Sequence, residues 1–476
     1  MHSNYAKAPG KYSSIVAMLA MLAMLAGCTK QNQIVCDDDS TSEDCSAEPK
    51  VPIAAFVSPS NIYERCKATF VNESQNADTF QWTVGTTAIS TEKDAVAVFN
   101  NAGDAAVTLT ARSGTLSDSE TQAIIVRQVP GYFDVNSTYA NGRAYFLVFD
   151  GAGFAVSLEQ GAVVANGVSA SKLIRRNPAG QVVSSVTVPN SVEALYALPA
   201  IDAEVQLFLQ SYDTSQGSDK YVVLNTIEQA GTTVGKDFPF GQPVFVSEIA
   251  FRGTIAFVVG TTKQTRQPFV GSFDYKTGQM LTFNFWQIPI EQMNGFAHIV
   301  LDTDGMYVTS RATLAESFDT DVAISRFDFD TRFVSVVGKF RRIGNGSDTR
   351  LSVALVNHQF AIGDTKGFAI LRKDGTSDAM PGVVSWVKVL ALSDGGLAVT
   401  GINFNGSKMS VQRFDSNLNV VAYTELAPKT SETRILQANS IAEGPDCSIV
   451  AVGEHSIGTS VVEYWPAYMK FSANLK

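Results

Sequence analysis

Cysteine, histidine and tryptophan are scarce in this chain, at 5, 4 and 4 of 476 residues. His298, His358 and His455 lie far apart, and none has a second His or Cys at metal-ligand spacing. The sequence holds no Gly-x-Ser-x-Gly elbow, no His-Glu-x-x-His helix and no phosphate-binding glycine loop. Hence no residue set stands out as catalytic or metal-binding, and no cofactor is implied. Base is scarce too: Lys and Arg total 36 against 46 Asp and Glu, a net charge of −10. Binding to nucleic acid depends on neutralising phosphates, so nucleic acid is excluded as a partner. Nor is there a basic patch for anionic lipid. Long apolar runs are missing except one, Ile15 to Ala26, which is shorter than the ~20 residues needed to cross a bilayer.

That run follows Lys7 and Lys11 and closes on Leu25-Ala26-Gly27-Cys28. The arrangement resembles a bacterial lipoprotein signal: a basic head, an apolar stretch and a lipobox ending in cysteine. The resemblance implies that residues 1–27 are a signal peptide. It also implies that Cys28 carries diacylglycerol and a fatty acid such as palmitate, anchoring the protein to a membrane. Thr29 stands where Asp would mark inner-membrane retention, which points to an outer-membrane lipoprotein of the cell envelope, facing the periplasm or the surface. Export places Cys36, Cys45, Cys66 and Cys447 in an oxidising compartment. Four cysteines allow three connectivities. The short acidic loop between them favours Cys36–Cys45, while Cys66 alternates with Ala68 and Phe70 as a buried thiol would. Residues 28–50 contain too little apolar surface to fold and read as a tether. The run Asp37 to Asp44 lacks the glycine and terminal glutamate of a calcium loop.

Residues 51–127 hold short alternating strands at intervals of about ten residues, the pattern of a β-sandwich. Phe56-Val57-Ser58-Pro59, Phe70-Val71-Asn72-Glu73-Ser74, Phe80-Gln81-Trp82-Thr83-Val84-Gly85, Phe99, Gly103 and Val107-Thr108-Leu109-Thr110 resemble the PKD family of immunoglobulin-like domains. The resemblance implies a spacer or adhesion module without catalytic residues, with Trp82 in its core. Two positions depart from the family: Thr86-Thr87 replaces an Asp-Gly turn, and Ala105 replaces a tyrosine.

Residues 128–476 contain a degenerate repeat. Apolar second strands recur around residues 154, 205, 255, 306, 360, 397 and 449, close to 50 residues apart except for one shortened step. Third strands ending in Arg-Phe-Asp recur at Arg326-Phe327-Asp328 and Arg413-Phe414-Asp415. Four strands per unit predict a β-propeller of seven blades; a solenoid would have shorter rungs. The last repeat lacks an outer strand of its own. Residues 131–136 are expected to supply it, covering an otherwise open edge and placing the sandwich at the outer rim.

The fold class is therefore all-β, an immunoglobulin-like PKD sandwich followed by a propeller. Asp302-Thr303-Asp304-Gly305 and Ser393-Asp394-Gly395-Gly396 read as hairpin turns rather than metal sites. Arg341-Arg342 reads as solvated, and Phe283, Phe285 and Trp286 as packing between repeats. The favoured function is binding or adhesion in the cell envelope, with the propeller recognising a protein or glycan. The alternatives are a propeller-type glycosidase or lyase, or an envelope-assembly scaffold. Fold alone does not choose among them.

Overall fold

The computed structural model describes residues 50–128, 131–135, 143–150, 153–163, 169–188, 191–198, 207–224, 235–286, 298–313, 320–341, 352–363, 367–379, 385–402, 408–426, 433–457 and 463–475. Cys28, Cys36, Cys45, the signal segment and nearly all of the tether lie outside them, as do Arg342 and residues 37–44. Among the described residues there is no helix.

Residues 56–127 form two facing sheets. One joins Phe56–Val57, Lys67–Asn72 and Ala95–Val98; the other joins Ile62–Tyr63, Leu116–Arg127, Gly103–Ser113, Thr79–Val84 and Thr87–Ser90. Their strands alternate, as Lys67–Asn72 shows by burying every second residue. The buried face meets a core of Phe56, Phe70, Trp82, Val107, Leu109 and Ile124. Trp82 is fully enclosed, lies 5.1 Å edge-on from Phe56 and donates its indole N–H to the Glu92 carbonyl at 3.1 Å. It is a core residue, as expected. Val84 and Thr87 close a hairpin around Gly85, whose φ of 57° suits the glycine that precedes the two threonines.

Seven four-stranded antiparallel sheets follow. The first holds Arg143–Phe149, Ala155–Val163, Ser169–Arg176 and Val182–Val188. The second holds Ser191–Ala197, Leu207–Asp213, Ser218–Leu224 and Lys236–Asp237; the third Val244–Arg252, Ile255–Thr262, Pro268–Asp274 and Gln279–Phe285. The fourth holds His298–Asp302, Gly305–Thr313, Thr320–Phe327 and Phe333–Arg341; the fifth Ser352–Val356, Gln359–Gly363, Phe368–Arg372 and Ser377–Ala379. Ser385–Ala391, Leu397–Ile402, Met409–Phe414 and Val420–Leu426 form the sixth. Six of the expected second strands occupy second position; of the one expected around residue 205 only Leu207 is described, where it opens the second strand of its sheet. These strands are apolar on both faces because each sheet packs against two neighbours, and Leu397–Ile402 is buried at every residue. Fourth strands lie outermost and are largely exposed, Met280, Phe285, Phe333, Val420 and Tyr423 among them.

The seventh sheet is composite. Thr433–Glu443, Ile449–Ile457 and Glu463–Phe471 are completed by Tyr132–Val135, which pairs Val135 with Ala467 and Tyr132 with Lys470. The expected closing strand is thus present, and it does not pair near Tyr145. The first strand of this sheet packs against Arg143–Phe149, so the last sheet meets the first.

The sandwich is fixed to the same sheet, but by a bridge between Cys66 and Cys447, with Cα atoms 5.5 Å apart. Cys66 is therefore no free thiol. Cys447 lies in the turn between the first and second strands, so docking uses the hairpin end of the sheet rather than its outer rim. Alternating strand burial is the same for a half-cystine as for a thiol, and the partner lies 381 residues away. Around the bridge, Arg65 Nε donates to Asn474 Oδ1 at 3.0 Å, and Asn474 Nδ2 donates to Glu64 Oε2 at 2.6 Å and the Asn100 carbonyl at 3.1 Å. Ala473 is buried beside the two half-cystines. Arg65 and Cys447 both hold positive φ, 64° and 54°, a conformation these residue types adopt only where surrounding contacts impose it. Replacing both Cys66 and Cys447 by Ser should destabilise the protein by about 2–4 kcal/mol in chemical denaturation. Mass mapping of the unreduced parent should recover the Cys66–Cys447 peptide pair; its absence would refute the clamp.

Candidate functional site

The first strands of the seven sheets run from a leading end, where each begins, to a hairpin end, where each turns into the second strand. The sandwich occupies part of the hairpin end. Toward the leading end, five first strands are interrupted by β-bulges. The extra residue is Tyr145 in the first sheet, Glu193 in the second, Ser247 in the third and Asn439 in the seventh; in the sixth the break spans Trp386 and Val387. A bulge bends its strand and re-aims the inserted side chain. Here Glu193 and Ser247 become exposed while Val192, Ala194 and Val246 stay buried.

Two of these bulges depend on a facing glycine. A Cβ on Gly453 would stand 1.7 Å from the Gln437 carbonyl oxygen, and one on Gly260 would stand 2.1 Å from that of Phe245. Both obstacles are backbone and cannot step aside. Gly453→Ala should therefore cost several kcal/mol, at the upper end of single-substitution effects. A thermal unfolding midpoint within a degree or two of the parent would contradict this account of the bulges.

Side-chain to main-chain bonds tie adjacent first strands. Asn439 Nδ2 donates to the Ala144 carbonyl at 3.0 Å, joining the last sheet to the first. Ser352 Oγ accepts from Val389 N at 3.1 Å, joining the fifth and sixth. Between the second and third sheets, Gln210 Nε2 donates to Asp219 Oδ2 and to the Val246 carbonyl, both at 2.7 Å, while Val246 N donates to Asp219 Oδ2 at 2.8 Å. Burial, opposed by these donors and reinforced by Glu193, pushes the Asp219 carboxyl up to about 6. Burial also raises Glu193. Continuing round, Glu248 binds His298 Nδ1 at 2.6 Å and accepts from Ile299 N at 3.3 Å. His298 is thus an intersheet partner. Arg143 pairs with Glu454 at 2.9 Å.

The hairpin end is a set of ion pairs. An acid in the first turn meets a base on the third strand in Asp150–Arg175 (2.7 Å), Asp394–Arg413 (2.8 Å) and Asp446–Lys470 (2.7 Å). Between the fourth and fifth sheets, Asp302 accepts from Lys373 Nζ and binds His358 Nδ1, both at 2.8 Å. Tyr307 donates to Asp304 at 2.9 Å, under Lys373 at 4.7 Å from its ring. Burial opposes ionisation of Asp302, but Lys373, His358 and the Thr303 N–H together hold its carboxyl far below the usual range. The stability it contributes is therefore complete above the unfolded value near pH 4 and lost as pH falls below it. Asp302→Asn should lower stability at pH 7 by about 1–2 kcal/mol, and the deficit should shrink at pH 3. Urea unfolding at both pH values tests this; an equal deficit at both would contradict it.

Asp302 and Gly305 do close a two-residue hairpin, as read from the sequence. Among the described residues no three acidic, histidine or cysteine groups gather to hold a metal. Trp286 packs edge-on against Phe327 of the next sheet at 5.5 Å, and Phe283 lies 4.9 Å from Phe269, so both are packing residues. Phe285 stays 43% exposed on an outer strand. The His455 side chain lies outside the described set. Sequence reading missed Cys66–Cys447, the bulges and the Gln210–Asp219 tie. Gly260 and Gly453, late in their second strands, were the available signal for the two bulges they face.

No family model matches this chain, and no curated protein does. Solved structures similar to it are β-propellers. They include a quinonprotein alcohol dehydrogenase-like protein from Bacteroides thetaiotaomicron VPI-5482, at 12% identity and TM-score 0.34, covering 78% of this chain and 94% of that one. The β-propeller domain of the Trilobed protease from Pyrococcus furiosus, described as having an open velcro topology, matches at 10% and 0.42, covering 68% and 93%. Acylaminoacyl peptidase from Pyrococcus horikoshii matches at 9% and 0.40, covering 67% and 51%. Such likeness concerns architecture alone.

Proposed function

We propose that this chain is a lipid-anchored binding protein of the cell envelope. Cys28 carries the lipid, residues 28–50 form the tether, the PKD-type sandwich is a spacer, and a seven-bladed β-propeller is the recognition body. Its ligand is a protein or glycan bound at the leading end. One observation carries this reading: the clamp through Cys447 and Asn474 engages the hairpin end, while bulges at the other end turn Glu193 and Ser247 to solvent. Backbone insertions that expose polar side chains from otherwise buried strands cost stability, and such features concentrate at functional sites. At the hairpin end Asp150, Asp302, Asp394 and Asp446 are each paired with a base.

Two experiments test the proposal. Cys28→Ala should move the protein from the membrane to the soluble envelope fraction; unchanged fractionation would refute the anchor. On an array of envelope glycans and purified envelope proteins, Ser247→Arg should reduce binding at least about tenfold, a loss of 1.4 kcal/mol. Asp330→Lys at the hairpin end should leave binding unchanged. The reverse pattern would move recognition to the hairpin end.

A further inference from the structure

Between the second and third sheets, Asp219 accepts from Gln210 Nε2 and Val246 N, while the Gln210 side-chain oxygen has no partner among the described residues. Val192 and Leu195 pack toward the first sheet, whereas Tyr196 packs toward the third. The bulge at Glu193 breaks the alternation between them, which sets the exposed Glu193 on the third-sheet side of its strand. Asp219 is 5% exposed and Gln210 2% exposed. The Gln210 amide has only one sensible orientation, because its nitrogen donates to two acceptors, Asp219 Oδ2 and the Val246 carbonyl. Its oxygen is therefore the buried atom left without a partner among the described residues. Being bonded to the same carbon as the nitrogen that reaches Asp219, that oxygen lies close to the carboxylate. The neighbouring cation Lys220 alternates to the opposite face, where Asp213 at 3.3 Å and Asp237 at 3.4 Å engage it.

We infer that Glu193, Asp219 and the Gln210 side-chain oxygen form a binding site for a hard divalent cation of the calcium class, seated between the second and third sheets at the leading end. All the offered atoms are oxygens. Two come from carboxylates and one from an amide, a set that suits calcium, which accepts irregular oxygen coordination completed by water. Magnesium demands a tighter octahedron and gives up its water reluctantly, so it should bind more weakly. A cation here would draw the exposed Glu193 onto the buried pair and brace the joint between the two sheets. It would also neutralise the two carboxylates it binds. The inference does not depend on the identity of any protein or glycan ligand, because its test uses the metal alone.

The experiment is calorimetric titration of the full-length, detergent-solubilised protein with CaCl2, and separately with MgCl2, alongside thermal unfolding in each salt. One calcium site with a raised unfolding midpoint is expected, with magnesium weaker. Glu193→Gln, at an exposed position that should fold normally, is expected to weaken calcium binding at least tenfold, while Asp330→Asn should not change it. No heat and no shift in midpoint up to about 10 mM calcium, beyond the range of weak extracellular sites, would overturn the site. So would equal calcium affinity in the Glu193→Gln protein. In either case a buried water is what satisfies Gln210.

Discussion

The rest of the structure depends on the pairing of Tyr132–Val135 with Glu463–Phe471. A ring of sheets built in sequence has one joint that no local turn can close. Here the joint lies inside a sheet, not between two, so four or more residues of backbone ladder must break before the ring opens. The same pairing fixes where the sandwich emerges, since only a few residues separate Arg127 from Tyr132. It also leaves the third strand of that sheet without an exposed edge, which would otherwise present unpaired backbone groups.

The disulfide acts on the same sheet from the other side. Cys66 reaches the first turn of the sheet whose outer strand follows directly from the sandwich, so the sandwich is held at two points. Asn474 adds a third, tying the turn after Phe471 to Glu64, Arg65 and Asn100. Arg413, fully buried, supports that turn from the sixth sheet through the Ala473 carbonyl at 3.0 Å. Three ties to one sheet give the sandwich a fixed direction relative to it.

Much of this fold was legible because strand burial has a period of two and sheet repetition a period near fifty residues. The doubly buried second strands and the missing outer strand follow from apolar pattern alone, and the core role of Trp82 from the resemblance of residues 51–127 to an immunoglobulin-like sandwich. What the pattern could not show is non-local or single-residue. The Cys66 partner is set by how two bodies meet. A bulge inserts one residue into a strand of seven, and the apolar alternation on either side, Val192 before Glu193 and Leu195 after it, still reads as an ordinary strand. The Gln210–Asp219 tie joins polar residues whose neighbours in sequence are unremarkable, and only the meeting of the second and third sheets brings Val246 to them. The second strand facing the Glu193 bulge, Leu207–Asp213, contains no glycine, so this bulge left no mark in the sequence.

Native-state hydrogen exchange read amide by amide tests the closure most directly. If the ring is locked within its last sheet, the amides of Tyr132–Val135 that pair with Ala467–Lys470 should exchange only through the same large opening that releases the centre of Glu463–Phe471, with matching free energies and matching denaturant dependence. Rapid exchange at residues 132–135 while the third strand stays protected would show that the outer strand detaches freely, and would contradict a closure that holds the ring together.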